Sequence, residues 1–167
     1  PEKLAKIINN YLSEMTTIAI ECGGTIDKFI GDAIMVFWGA PKKLKPQEQV
    51  RLATDCAKSM QKAMLRLNQD WSSAGISQLK MRIGINYGAA VVGNFGNEIR
   101  SDYTAIGSMV NLASRIEALC EPNEVYLSGE ACDYLPRGSF DRVGAFEPKG
   151  IGRKINLYRL VQEVLDP

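Results

Sequence analysis

The run Thr25-Ile26-Asp27-Lys28-Phe29-Ile30-Gly31-Asp32-Ala33-Ile34-Met35-Val36-Phe37-Trp38 constrains the fold more than any other stretch, because it puts charge into what otherwise reads as core. Apolar runs flank Gly31-Asp32, and glycine followed by a small polar residue between such runs is a hairpin signal. Asp32 then stands at the tip and Lys28 one strand-length back. Each admits two readings. Asp32 is a turn former or a group presented for chemistry at the bend, and Lys28 is a solvated charge or a placed cation.

On the N-terminal side, Leu4, Ile7, Ile8, Tyr11, Leu12, Met15 and Ile18 recur at three- and four-residue spacing, which predicts an amphipathic helix over 2–22 stopped by Gly23-Gly24. Lys3, Lys6 and Glu14 form its solvated face. A basic loop, Lys42-Lys43-Leu44-Lys45-Pro46, leads into a second helix over 47–73, whose stripe is Val50, Ala53, Ala57, Met60, Met64, Leu67 and Trp71. A methionine-bearing stripe of this kind packs a core or meets a partner. The period then changes to two. Met81, Ile83 and Ile85 alternate with Arg82, Gly84 and Asn86, and Gly88 turns the chain into 89–93, which predicts a second hairpin. Residues 94–103 read as a polar loop and 107–119 as a third helix. A strand at 124–128, a brief helix at 130–135 and strands at 140–146 and 155–161 complete the chain. Helices alternating with hairpins predict an α+β sandwich, one mainly antiparallel sheet covered by helices, in a single domain over 1–167.

Composition excludes several classes. With 46% hydrophobic and 23% charged residues and a net charge of +1, the chain is neither disordered nor basic enough for a general nucleic-acid surface. It carries no signal peptide and no apolar run long enough to span a bilayer, so no membrane contact by this domain is expected. Cys22, Cys56, Cys120 and Cys132 show no C-x-x-C spacing, which points to the reducing cytoplasm; attachment to a membrane would come through upstream domains. Histidine is absent, so catalysis must run on carboxylates, lysine, arginine, hydroxyls or a hard metal ion.

Four segments stand together: Lys28-Phe29-Ile30-Gly31-Asp32, Met81-Arg82-Ile83-Gly84-Ile85-Asn86-Tyr87-Gly88, the run from Tyr103 through Thr104 and Asn111-Leu112-Ala113-Ser114-Arg115, and Pro148-Lys149-Gly150. In this order and at these separations they resemble the catalytic domain of the class III adenylyl and guanylyl cyclases, over nearly the whole chain. The resemblance implies an α+β fold, the ferredoxin-like helix/sheet sandwich of that family without its N-terminal strand. It also implies an adenylate cyclase, a phosphorus-oxygen lyase in which the ribose 3′-hydroxyl of ATP attacks its own α-phosphorus, giving 3′,5′-cyclic AMP and pyrophosphate.

By the same resemblance, Asp32 is one of two aspartates that hold two Mg²⁺ or Mn²⁺ ions per site. Lys28 and Thr104 select the base. Adenine offers an acceptor at N1 and a donor at N6, which an ammonium and a hydroxyl oxygen complement, whereas guanine reverses both edges. Thr104 stands where many members carry Asp, and taken alone it is a structural loop hydroxyl. Asn111 and Arg115, four apart on one helix face, orient the ribose and stabilise charge on the α-phosphate; an Arg there also fits a snorkelling surface residue. Arg82, on the polar side of its strand, matches a residue near the triphosphate, and Lys149 one that grips the terminal phosphates. Solvated charges are the alternative for both.

The family's first metal-binding aspartate lies on a strand ahead of its first helix, and this sequence begins at that helix, so the 167-residue piece alone is expected to be inactive. Family sites form between subunits, the aspartates and the Arg82-like residue from one and the base, ribose and transition-state residues from the other. One sequence carrying both sets implies a C₂ homodimer with two equivalent sites. The alternatives are a guanylyl cyclase and a non-catalytic regulatory domain of the same fold. An RNA-binding ferredoxin-like domain is disfavoured, since Phe29, Phe37, Trp38 and Tyr87 are not grouped with Lys and Arg as a stacking platform.

Overall fold

A computed structural model describes residues 1–162. The elements run α1 (Glu2–Glu21), β1 (Thr25–Ile30), β2 (Ala33–Phe37), α2 (Pro46–Ser73), β3 (Ile83–Ile85), β4 (Val91–Gly96), β5 (Ser101–Ile106), α3 (Ser108–Leu119), β6 (Val125–Ser128), α4 (Gly129–Cys132), β7 (Phe140–Phe146) and β8 (Ile155–Leu160). This is the mixed α+β composition expected. The chain forms two compact units, residues 1–80 with 92–105, and residues 81–91 with 106 onward.

In the first unit, α1 and α2 pack together, and the methionine stripe of α2 is core: Met60, Met64, Leu67 and Trp71 are buried with Met15 and Ala19 of α1. At the N-terminal end of the α1 stripe Leu4 is 60% exposed, while Ile7 and Ile8 are half-buried. β1 and β2 form the expected antiparallel hairpin, Ile30 paired with Ala33 across Gly31-Asp32. Gly31 takes φ +61°, the Gly-first requirement of a type II′ turn. The ladder slips between Ile26 and Lys28, so Asp27 is the extra residue of a β-bulge.

The second unit is built on a four-stranded sheet in the order β3-β6-β8-β7, parallel between β3 and β6 and antiparallel elsewhere. α3 lays Leu112 and Ile116 against Tyr126, Ile155 and Leu157. It crosses β3 so closely that a Cβ on Gly84 would lie 2.4 Å from the Glu117 backbone nitrogen, which is why glycine stands there.

Two expectations are corrected. The second hairpin does not join 81–85 to 89–93: β3 pairs with β6, while β4 turns back on β5, so 94–103 holds most of a hairpin rather than a loop. The true turn is made by Asn97, whose side-chain oxygen accepts from the backbone N–H of Ile99 and Arg100 at 2.9 Å, an Asx turn that outcompetes the apparent turn at Gly88. The strands also fall into three hydrogen-bonded sets, β1-β2, β4-β5 and the four-stranded sheet, rather than one sheet, because two of these sets are local pairs that their own turns close.

Candidate functional site

Each unit presents part of the expected set. In the first, Asp32 occupies the hairpin tip, exposed, and its carboxylate makes no hydrogen bond or ion pair among the described residues. Mg²⁺ is commonly held by one or two carboxylates together with substrate phosphates, and an uncommitted carboxylate at a turn fits one such ligand. Among the described residues no group of three or more His, Cys, Asp or Glu converges on a point.

The expected base-selecting residues meet on a third side chain that sequence reasoning passed over. Asp27, re-aimed by its bulge, has a side chain only 1% exposed, beside a Lys28 side chain 52% exposed. Its carboxylate accepts the Thr104 hydroxyl at 2.8 Å on Oδ1 and 2.7 Å on Oδ2. Oδ2 also accepts the Ala105 backbone N–H at 2.9 Å, and the Lys28 ammonium lies 3.5 Å from Oδ1. A buried carboxylate is tolerable only with donors of this kind. Tyr103, on the neighbouring position of β5, sets its ring 6.2 Å from that of Phe37 on β2. The signal for Asp27 was present: Asp beside Lys in an apolar strand means that strict alternation would turn one of the two inward.

In the second unit, Asn111 and Arg115 are exposed on α3, whose Leu112 and Ile116 are buried. The Arg115 guanidinium donates to the Lys149 carbonyl oxygen at 2.6 Å, which ties the Pro148-Lys149-Gly150 turn to α3 and leaves the Lys149 side chain exposed. Arg82 sits just ahead of β3 rather than on its polar side. Its Nε lies 3.5 Å from Glu117 Oε1, and it donates weakly to the Ala118 carbonyl at 3.4 Å, so it is held on the last turn of α3. Asn86 donates to the Met109 carbonyl at 2.9 Å while its own carbonyl oxygen is buried without a partner.

The four cysteines are free, and burial raises the thiol pKa of Cys56 and Cys132 to about 12 and of Cys120 to about 11. None of these three buried thiols is poised as a nucleophile. No helix among the described residues is long and apolar enough to cross a membrane.

The family described as adenylate and guanylate cyclase catalytic domain matches residues 1–162. The crystal structure of the adenylyl cyclase CyaB from P. aeruginosa is 40% identical, with a TM-score of 0.93 over 98% of this chain and 84% of that one. The guanylyl cyclase Cya2 is 34% identical, with a TM-score of 0.88 over 97% of this chain and 82% of that one. Among curated relatives, Adenylate cyclase 1 of Rhizobium meliloti is 28% identical over 96% of this chain, and an adenylate cyclase of Anabaena cylindrica 37% identical over 71%. The chain spans about a quarter of the length of these two relatives, 24% and 23%.

Proposed function

Because this chain belongs to the adenylate and guanylate cyclase catalytic domain family, we propose that it is the catalytic domain of an adenylyl cyclase, one domain over 1–167, converting ATP to 3′,5′-cyclic AMP and pyrophosphate. The observation that carries the choice of base is the meeting of Lys28 and Thr104 on the Asp27 carboxylate, which places an ammonium and a hydroxyl side by side as the adenine N1 and N6 edge requires.

The reaction makes one bond and breaks one. The 3′-oxygen bonds to the α-phosphorus, the bond from that phosphorus to the α,β-bridging oxygen breaks, pyrophosphate leaves, and the hydroxyl proton passes to water. Little covalent chemistry falls to the protein, whose task is position and charge. Lys28 and Thr104 hold the base. Asn111 orients the ribose, and Arg115, four residues on, stabilises charge growing on the α-phosphate; of its five N–H groups the Lys149 carbonyl takes one. Lys149 and Arg82 attract the triphosphate, Arg82 after leaving Glu117. Asp32 would hold Mg²⁺ or Mn²⁺, two ions per site, which would supply activation of the hydroxyl and neutralisation of the phosphates.

Sites of this kind are shared between subunits of a C₂ homodimer, with Asp32 and Arg82 facing the base and transition-state residues of the partner. The test is incubation of the full-length protein with ATP and Mn²⁺, followed by chromatography. Cyclic AMP formed in preference to cyclic GMP, and lost on chelation, is the expected result. Preference for GTP would make it a guanylyl cyclase, and no product from either would leave a regulatory domain of cyclase fold.

A further inference from the structure

Thr104 can serve adenine only if its hydroxyl accepts. A free hydroxyl rotates and offers a lone pair to an amine or a proton to a carbonyl with equal ease, so by itself it does not distinguish a 6-amino from a 6-oxo purine. In this structure the rotor is not free. Its proton is committed to the Asp27 carboxylate, whose two oxygens lie 2.8 and 2.7 Å from the Thr104 oxygen, and an ionised carboxylate can only accept. The Ala105 backbone N–H and the Lys28 ammonium fix that carboxylate in turn, and a β-bulge at Asp27 turns it inward.

We propose that Asp27 is a specificity-determining positioning residue: by taking the Thr104 proton and holding the Lys28 ammonium beside it, Asp27 makes the pocket select a 6-amino purine nucleotide over a 6-oxo one. The inference rests on the reading of Lys28 and Thr104 as the base-selecting pair. Asp27 itself need not touch the substrate.

Asp27→Asn is the informative change because it keeps size and shape. The Ala105 N–H keeps the amide oxygen on the Oδ2 side, where it is a neutral acceptor shared by Ala105 and Thr104, and the amide NH₂ takes the Oδ1 side, 2.8 Å from the Thr104 oxygen, and donates to it. The Thr104 oxygen thereby gives up a lone pair and its proton is held by a weaker acceptor, so it serves an adenine amine less well. In the full-length protein, kcat/KM and displacement of a fluorescent nucleotide are measured for ATP, GTP and purine riboside triphosphate, which lacks any 6-substituent. The unaltered protein is expected to favour ATP over the unsubstituted purine by about tenfold, one hydrogen bond. Asp27→Asn should lower that ratio at least about threefold, raise GTP relative to ATP, and leave purine riboside triphosphate within about twofold. In a Thr104→Val background Asp27→Asn should change no ratio.

A role as a mere staple between β1 and β5 would lower all three substrates alike, and that result overturns the proposal while leaving the cyclase reading intact. Loss of the ATP preference in binding, without turnover of any nucleotide by the unaltered protein, supports the proposal and overturns the cyclase reading. Absence of any purine nucleotide binding overturns both. Should Asp27→Asn not fold, the unaltered protein carries the test with 6-methoxypurine riboside triphosphate, which keeps the N1 acceptor and puts an ether oxygen at position 6. A fixed acceptor must bind it more weakly than the unsubstituted purine; equal or tighter binding would show a freely turning hydroxyl and overturn the proposal.

Discussion

Arg115 and Lys149 are joined through the backbone, the guanidinium of the one donating to the carbonyl oxygen of the other at 2.6 Å. The residue read as stabilising the α-phosphate thus also holds the turn that carries the residue read as gripping the terminal phosphates. Removing Arg115 should therefore do two things and removing Lys149 one. Arg115→Ala is expected to lower kcat by about 10²-fold or more and to raise KM as the turn is released. Lys149→Ala should act mainly on KM. Arg115→Lys restores charge without the planar fork and should recover little. A coupled pyrophosphate-release assay separates the two parameters; an Arg115→Ala effect confined to KM would remove it from the transition state.

The approach of β3 to α3 supplies a stability test within the second unit. A Cβ on Gly84 would meet the Glu117 nitrogen at 2.4 Å and the Ala113 carbonyl oxygen at 2.6 Å, both backbone atoms that cannot swing aside. Gly84→Ala should cost about 1–3 kcal/mol as an overpacked site. Gly144 of β7 has nothing within 4 Å of its Cβ position, so Gly144→Ala should stay within about 0.5 kcal/mol of the parent. Urea unfolding of the two variants side by side checks the contrast.

Buried thiols predict a loss of stability in alkali. Desolvation lifts Cys56 and Cys132 from 9.0 to about 12 and Cys120 to about 11, with Cys22 adding to the effect on Cys56. The native state therefore keeps protons that the unfolded chain releases near pH 9. Their contribution is fully present below about pH 9 and is lost as pH climbs toward 11 to 12, at up to about 1.4 kcal/mol per pH unit for each thiol. Urea midpoints at pH 8, 9.5 and 10.5 should fall in that order, and Cys132→Ala should flatten the slope. At pH 8 a thiol reagent should leave Cys56, Cys120 and Cys132 unmodified until denaturant is added.

How much of this was legible in the sequence depended on the range of the forces involved. α1, α2 and α3 and the Gly31-Asp32 hairpin came out within a residue or two, because helical periodicity and a glycine turn are local. The pairing of β3 was not legible, since its partner β6 lies some forty residues on and a parallel contact leaves no turn to read. Gly88 looked like a turn and Asn97 did not, although the Asn97 side chain closes the real one. At the candidate site, motif resemblance singled out Lys28 and Thr104 as the base-selecting pair. Asp27, which joins them, escaped because alternation says only that one of the adjacent pair Asp27 and Lys28 turns inward, and the bulge at Asp27 has no local sequence signal that decides which.

The assignment of Asp32 and Arg115 to different subunits' contributions to one site makes a prediction that no single variant can test. In a homodimer with two equivalent shared sites, an Asp32→Ala chain lacks its metal-ligand half and an Arg115→Ala chain its transition-state half, so each homodimer is inactive at both sites. A mixed dimer combines the two defects in one site and leaves the other with an intact Asp32 and an intact Arg115. Random mixing of equal amounts gives half the dimers mixed, each with one working site of two, so activity should return to about a quarter of the unaltered level if subunits exchange freely. Co-expression of differently tagged chains and tandem purification isolates the mixed dimer, which should then reach about half. No recovery in a purified mixed dimer would place Asp32 and Arg115 in the same subunit's site and overturn the shared arrangement.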